Sequence, residues 1–168
     1  MKFETLRYGE IQVQPEDIYT FPEGLLGFPN CVHYTFVNEE GISPFKILQS
    51  LDSSSLAFAV IDPLVVKPKY HFQLTKEDIS IIHAADVDTI SVYCIVNLAR
   101  NIKDATINLQ GPLVINKLNR LGHQFVLFDD EYSVNEKLLS AEMLQRSVPE
   151  ILKNAKSTAE SSEKNKVG

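Results

Sequence analysis

Thr89-Ile90-Ser91-Val92-Tyr93-Cys94-Ile95-Val96-Asn97-Leu98 reads as a β-strand, because β-branched and aromatic side chains dominate it. Successive side chains on a strand point to opposite faces, so Ile90 and Val92 share one face and Tyr93 and Ile95 the other. Both faces are apolar. Such a strand has to be covered on both sides and is expected at the centre of the sheet.

Outward from it the chain reads as short strands cut by turns. Val32–Val37, Phe45–Ser50 and Leu56–Ile61 are expected strands before it, and Ala105–Leu109, Leu113–Asn116 and Gln124–Phe128 after it. The turns sit at Asp52-Ser53-Ser54-Ser55, Asp62-Pro63, Lys67-Pro68, Gly111-Pro112 and Leu121-Gly122. At the N-terminal end, Lys2–Arg7 and Ile11–Val13 flank Gly9 as a hairpin would, and a strand around Ile18–Phe21 follows. Phe21-Pro22-Glu23-Gly24-Leu25-Leu26-Gly27-Phe28-Pro29 is loop chemistry that carries apolar side chains, so the loop is expected to fold back on the core. Many short strands at this spacing point to a sandwich or a small barrel.

Two stretches carry helix signals. Thr75-Lys76-Glu77-Asp78 has the spacing of a capping box ahead of Ile79, Ile81 and Ile82. Ser133-Val134-Asn135-Glu136 has it too, and Val134, Leu138, Ala141 and Leu144 follow at helical intervals. Ser147-Val148-Pro149-Glu150 repeats the box with proline in the permitted first turn. These signals predict helices over 135–146 and 148–156, or one helix kinked between them, with a polar, disordered tail over 157–168.

The 168 residues suit one domain. Apolar residues make up 44% and charged residues 23%, a globular balance that needs no disulfide or metal to form a core. All nine Phe and six Tyr lie at or before Tyr132, so the body is expected over 1–132 and an appendage after it. The net charge of −6 works against direct contact with nucleic acid or an anionic membrane. No stretch has the length of a membrane helix, Met1–Thr5 is not followed by the apolar run of a signal peptide, and two distant cysteines are no disulfide framework; the cytoplasm is the expected location.

No nucleophile elbow, phosphate loop or dinucleotide-binding glycine pattern occurs. Gly24-Leu25-Leu26-Gly27 lacks a following lysine, and Glu23 would repel a phosphate. Cys31 and His33 would share a strand face, but two ligands fall short of a zinc site. Asp129-Asp130-Glu131 lacks the alternation and the glycine of a calcium loop and reads as a solvated turn. Asp62, Asn108, Asn116 and Arg120 stay unusual. Asn in or beside an apolar strand wants partners for its amide, either in a neighbouring loop or on another molecule. Asp62 and Asn108 could also belong to a catalytic site formed only in the fold, the alternative to a binding protein.

An ordered set of motifs resembles the FliW family. It comprises Thr5-x-x-Tyr8-Gly9, Phe21-Pro-Glu-Gly24-Leu-Leu-Gly27-Phe28, Leu48-Gln49-Ser50-x-Asp52 and Ile61-Asp62-Pro63 with Tyr70 seven residues on. Asn108-Leu109-Gln110-x-Pro112-Leu-Val-Ile115-Asn116 and Arg120-x-Gly122-x-Gln124 complete it. The resemblance covers about residues 1–132 and implies a mainly β fold, a small antiparallel β-barrel-like domain with one short helix. Family members often end near the position of Tyr132, so the helical segment is expected to be an extension. The resemblance implies a flagellar assembly factor, not an enzyme, with no cofactor and no catalytic or metal site. Its partners would be flagellin and the translational regulator CsrA, which it would antagonise without occupying the RNA site. Partner contacts are expected at Phe45, Gln49, Asp62, Tyr70, Asn108, Asn116 and Arg120. Phe45 would serve as an aromatic anchor or as plain core, and Arg120 would pair with a carboxylate on a partner or on its own turn.

Overall fold

The structure, a computed structural model, describes residues 1–138. The chain enters with a hairpin of β1 (Lys2–Thr5) and β2 (Gly9–Gln12). β3 (Tyr19–Thr20), β4 (His33–Val37), β5 (Lys46–Ser50) and β6 (Ala57–Ile61) follow as an antiparallel meander. Two short helices, α1 (Pro63–Val66) and α2 (Lys76–Ile81), precede β7 (Ile90–Asn97). β8 (Thr106–Ile107), β9 (Leu113–Asn116), β10 (Gly122–Gln124) and β11 (Glu136–Lys137) complete the body. The fold is mainly β and antiparallel, as expected.

β7 is central. It pairs with β6 along one edge and with both β8 and β9 along the other. Its faces are covered as its alternation requires. Tyr93 and Ile95 pack against the cluster of Phe21, Tyr34, Leu48, Val60, Leu113 and Ile115. Cys94 and Val96 belong to a second cluster with Ile61, Ile107, Leu109, Tyr132 and Leu138. Ile90 and Val92 lie against Ile82, Val114 and Phe125.

The sheet closes on itself. Thr20 donates its N–H to the Arg120 carbonyl at 2.9 Å, and a parallel bridge joins Thr20 to Leu121, so the meander's first strand meets the turn before its last. Beneath this seam Phe21 is fully buried. A Cβ on Gly122 would stand 2.5 Å from the Phe21 ring, so glycine is what lets the ring lie there.

Between β8 and β9 the strand opposite β7 keeps a last bond, from Asn108 N–H to the Ile95 carbonyl at 2.9 Å, and then leaves the ladder for Leu109–Pro112. This detour is held by bonds from four directions. The Leu109 carbonyl accepts from the Tyr70 hydroxyl at 2.8 Å, and the Leu109 N–H donates to the Ser133 carbonyl at 3.0 Å. The Gln110 and Pro112 carbonyls accept from the N–H groups of Leu127 and Phe125 at 2.8 and 3.0 Å. The Gly111 carbonyl accepts from the Gln124 amide, whose own oxygen accepts from Leu26 N–H. Gln124 thus ties the glycine-rich loop to the detour.

Four expectations need correction. The capping box at Thr75 forms with both bonds, but the one at Ser133 does not: its hydroxyl accepts from Asn135 N–H, and Glu136 and Lys137 pair with β8 instead of starting a helix. Leu138 is buried in the core, so the packed body runs at least six residues past Tyr132. The rest of the two predicted helices and the tail over 157–168 lie outside the described residues. The strand expected at Gln124–Phe128 overlaps β10 only at Gln124, since β10 begins at Gly122 and ends there, and a second short helix, α1, stands where only a turn was expected.

Replacing Gly122 by Ala is expected to force the Phe21 ring out of place and to cost about 2 kcal/mol, in the range of core overpacking. Calorimetry should then show Tm lower by roughly 4–8 °C for a chain of this size. An unchanged Tm would mean that the seam tolerates a methyl group.

Candidate functional site

Asp62 and Pro63 build one wall of an open cleft. Proline suits the first helical position because it has no N–H to lose there, and the Asp62 carboxylate caps α1 by accepting from Leu64 N–H at 2.9 Å. The cap turns the chain sharply after β6. It leaves Leu64 51% exposed at the rim, with Val87, 65% exposed, also lining the cleft.

The cleft measures about 620 Å³. Pro44 and Lys46 from the start of β5, Tyr70, Phe72 and Leu74 from the segment after α1, and Ile90 and Tyr93 from β7 supply most of its surface. Lys46 holds its ammonium 5.5 Å from the Phe36 ring and 5.6 Å from the Tyr93 ring, a cation–π arrangement that keeps the side chain against the mouth of the cleft. Asp62 and Lys46 give this apolar hollow one carboxylate and one ammonium, a pattern suited to an amphipathic polypeptide segment.

The floor is built for rigidity. Burial first, then neighbouring Cys94 and Tyr132, push the Tyr70 hydroxyl far above its ordinary value, so it stays protonated and donates to Leu109. Cys94 is pushed up to about 12, chiefly by burial. A thiol held there is not a nucleophile near neutral pH.

The expected site residues divide. Asp62 and Tyr70 meet in the cleft, and Phe45 lies just beneath it in the core, next to Pro44. Gln49 is 0% exposed, and its amide donates to the carbonyls of Ser50 at 2.9 Å and Leu56 at 3.1 Å, pinning the loop between β5 and β6. Asn116 is buried and donates to the Ile82 and His83 carbonyls at 3.0 and 3.2 Å, closing the end of α2. Asn108 is half-buried and accepts from Gln110 N–H at 3.0 Å at the start of the detour. Arg120 adopts φ 61° in the turn at the barrel seam, is half-buried and does not line the cleft. Asn108 likewise does not line the cleft that Asp62 borders. Lys46, Leu64 and Val87 were not among the expected residues; the one local signal for any of them was the Asp62-Pro63 cap.

Asp52 closes the Leu48–Asp52 motif. It accepts from Val32 and His33 N–H at 2.7 and 2.8 Å and faces the His33 ring at 3.2 Å. Partial desolvation alone would raise its pKa, but the two N–H donors and the ring outweigh it and hold the carboxyl below the ordinary range.

The profile of the family described as "FliW protein" matches residues 2–138. A flagellar assembly factor FliW from Ruminiclostridium cellulolyticum is 37% identical over 140 residues, which are 83% of this chain and 95% of that protein. One from Thermoanaerobacter pseudethanolicus is 36% identical over 161 residues, 95% of this chain and 100% of that protein. That likeness runs past Leu138, so the segment after the body is not peculiar to this chain. A crystal structure of the flagellar assembly factor FliW superposes with a TM-score of 0.78 at 30% identity, covering 84% of this chain and 99% of that one.

Two outcomes follow. An aromatic disulfide reagent should modify Cys31 in the folded chain and reach Cys94 only after denaturation, with native rates differing by on the order of a hundredfold or more. Equal rates would mean that the core opens readily. The Asp52 contribution to stability is complete above the unfolded value near pH 4 and is lost as pH falls through the lower folded value. Asp52→Asn should therefore flatten that part of the acid-unfolding curve and cost about 1 kcal/mol at pH 7, measured by urea denaturation.

Proposed function

The chain belongs to the FliW family of flagellar assembly factors, and from that premise we propose that it works by contact alone, binding flagellin and the translational regulator CsrA in the cytoplasm. Binding to CsrA would lift repression of flagellin translation, and flagellin would compete for the factor. The observation that carries this reading is the apolar cleft rimmed by exposed Leu64 and Val87, with Lys46 and Asp62 for orientation.

The electrostatics support it. A regulator that grips RNA is basic where it meets phosphate, and a partner of net charge −6 beside that surface repels the incoming strand. Linkage then requires bound RNA to weaken the factor's binding equally. Several N-terminal acids already have partners within the chain: Glu10 meets Lys2 at 3.0 Å, and Glu23 lies 3.6 Å from His123. The exposed run Asp129–Glu131 is the more available source of field. The Asp62 carboxylate is engaged as a helix cap and Asn108 lies elsewhere, so nothing favours a catalytic site between them.

Calorimetry with purified flagellin and with CsrA should give saturable binding. The double variant Leu64→Asp, Val87→Asp is expected to weaken at least one of the two by tenfold or more, about 1.4 kcal/mol. Its Tm should stay within about 2 °C, since surface changes away from buried features cost little. Association with CsrA should also weaken several-fold between 50 and 300 mM salt, roughly 0.05 to 0.3 M across the screening range of exposed charge. Absence of binding to both proteins would overturn the proposal.

A further inference from the structure

Beyond the cleft, on the other side of the segment His71–Leu74, lies a second groove of about 730 Å³. Its far wall is the chain from Phe125 to Asp130. Phe125 and Leu127 direct their N–H groups to Pro112 and Gln110, the alternate bonding of an antiparallel strand. Val126 and Phe128, between and beyond them, make no backbone hydrogen bond among the described residues. By strand geometry their N–H and C=O groups face the opposite edge, toward the groove. Phe72, Gln73 and Leu74 across from them likewise have no backbone bond among the described residues. The groove therefore runs between a strand-like edge and an irregular segment, both with vacant hydrogen-bonding positions among the described residues.

The side chains narrow what fits. Phe128 is 95% exposed and Val126 is exposed beside it, an apolar strip on an open edge. The charged groups of the lining are Asp78, Asp129 and Asp130, and His71 is the other titratable one. Asp78 and Asp129 each use one oxygen on a local N–H, at 2.8 and 2.9 Å, and leave the other for an incoming donor. A cationic, extended occupant satisfies the backbone edge, the apolar strip and the three carboxylates together. An acidic or helical one does not.

We propose that the edge Val126–Phe128, with Asp129 and Asp130 in the turn that follows it, accepts an extended peptide that alternates basic and apolar residues, adding a strand by backbone pairing. The strand-like stretch Phe125–Phe128, at about 3.3 Å per residue, gives a site of roughly 13 Å, matched by a peptide of about four to six residues. Pairing supplies affinity, and the carboxylates select charge. The proposal stands on this groove and does not depend on the cleft or on the flagellar partners.

The probe is a fluorescein-labelled hexapeptide alternating Lys and Val, titrated with the full chain by fluorescence anisotropy. Three controls accompany it: the Glu–Val hexapeptide, the Lys–Val hexapeptide N-methylated at alternate residues, and the variant Val126→Pro. That proline removes an N–H the body does not use. Saturable binding of the Lys–Val peptide is expected, weakened tenfold or more by each control, and several-fold by Asp129→Asn with Asp130→Asn. Amide exchange gives a second readout that needs no variant. Val126 and Phe128 amides should exchange quickly in the free chain and slow by tenfold or more with peptide, while Leu127 is protected throughout. No saturation by 1 mM peptide, equal affinity for the acidic peptide, or protection appearing elsewhere while Val126 and Phe128 stay fast would overturn the proposal.

Discussion

A strand that leaves its ladder has to place its backbone groups somewhere. Leu109–Pro112 does this in the interior, where each group left unpaired would cost about 1–3 kcal/mol. Leu109 is fully buried, so water cannot serve its amide and carbonyl. The solution draws on the chain's distant parts: Tyr70 from the segment after α1, Ser133 from near the end of the body, Phe125 and Leu127 from the segment after β10, and Gln124, which also holds the loop before β4. One local irregularity thus sets where four other segments run.

The two surface hollows inherit their shape from this arrangement. Tyr70 cannot donate to Leu109 unless the chain after α1 crosses the sheet at that point, and the crossing is the wall that separates the cleft from the groove. Phe125 and Leu127 cannot bond to Pro112 and Gln110 without presenting the intervening residues outward. The surfaces available to other polypeptides are therefore by-products of satisfying a buried loop. Rigid placement suits that use, because a preorganised surface loses less freedom on binding.

Much of the body was legible because its signals are local. The alternation from Ile90 to Ile95 identified the central strand, and the Thr75 box identified α2, since both depend on residues within one turn or one strand. Ser133 shows the limit. Its spacing is that of a capping box, but β8 offers an open edge that Glu136 and Lys137 fill, and Leu138 then drops into the core. Tertiary pairing outweighed a local preference worth about 1 kcal/mol. α1 escaped notice because its four residues, Pro63–Val66, are too few for periodicity to register. Asn116 was unusual for a sound reason and Gln49 was expected at a partner contact, yet their amides are consumed by carbonyls inside the chain. Of the cleft only Asp62 and Tyr70 were expected site residues, because its lining comes from five separate stretches and no spacing in the chain encodes their meeting.

The seam between Thr20 and Arg120 bears on how the molecule comes into being. These residues stand about a hundred positions apart, so during synthesis the first strands of the meander leave the ribosome long before the turn that will cap them exists. At typical elongation speeds of about 5–20 residues per second, the wait lasts roughly 5–20 s. Through that interval the edge of β3 and the ring of Phe21 stay uncovered, and a nascent chain in this state is a substrate for chaperones and for its own neighbours on the same message.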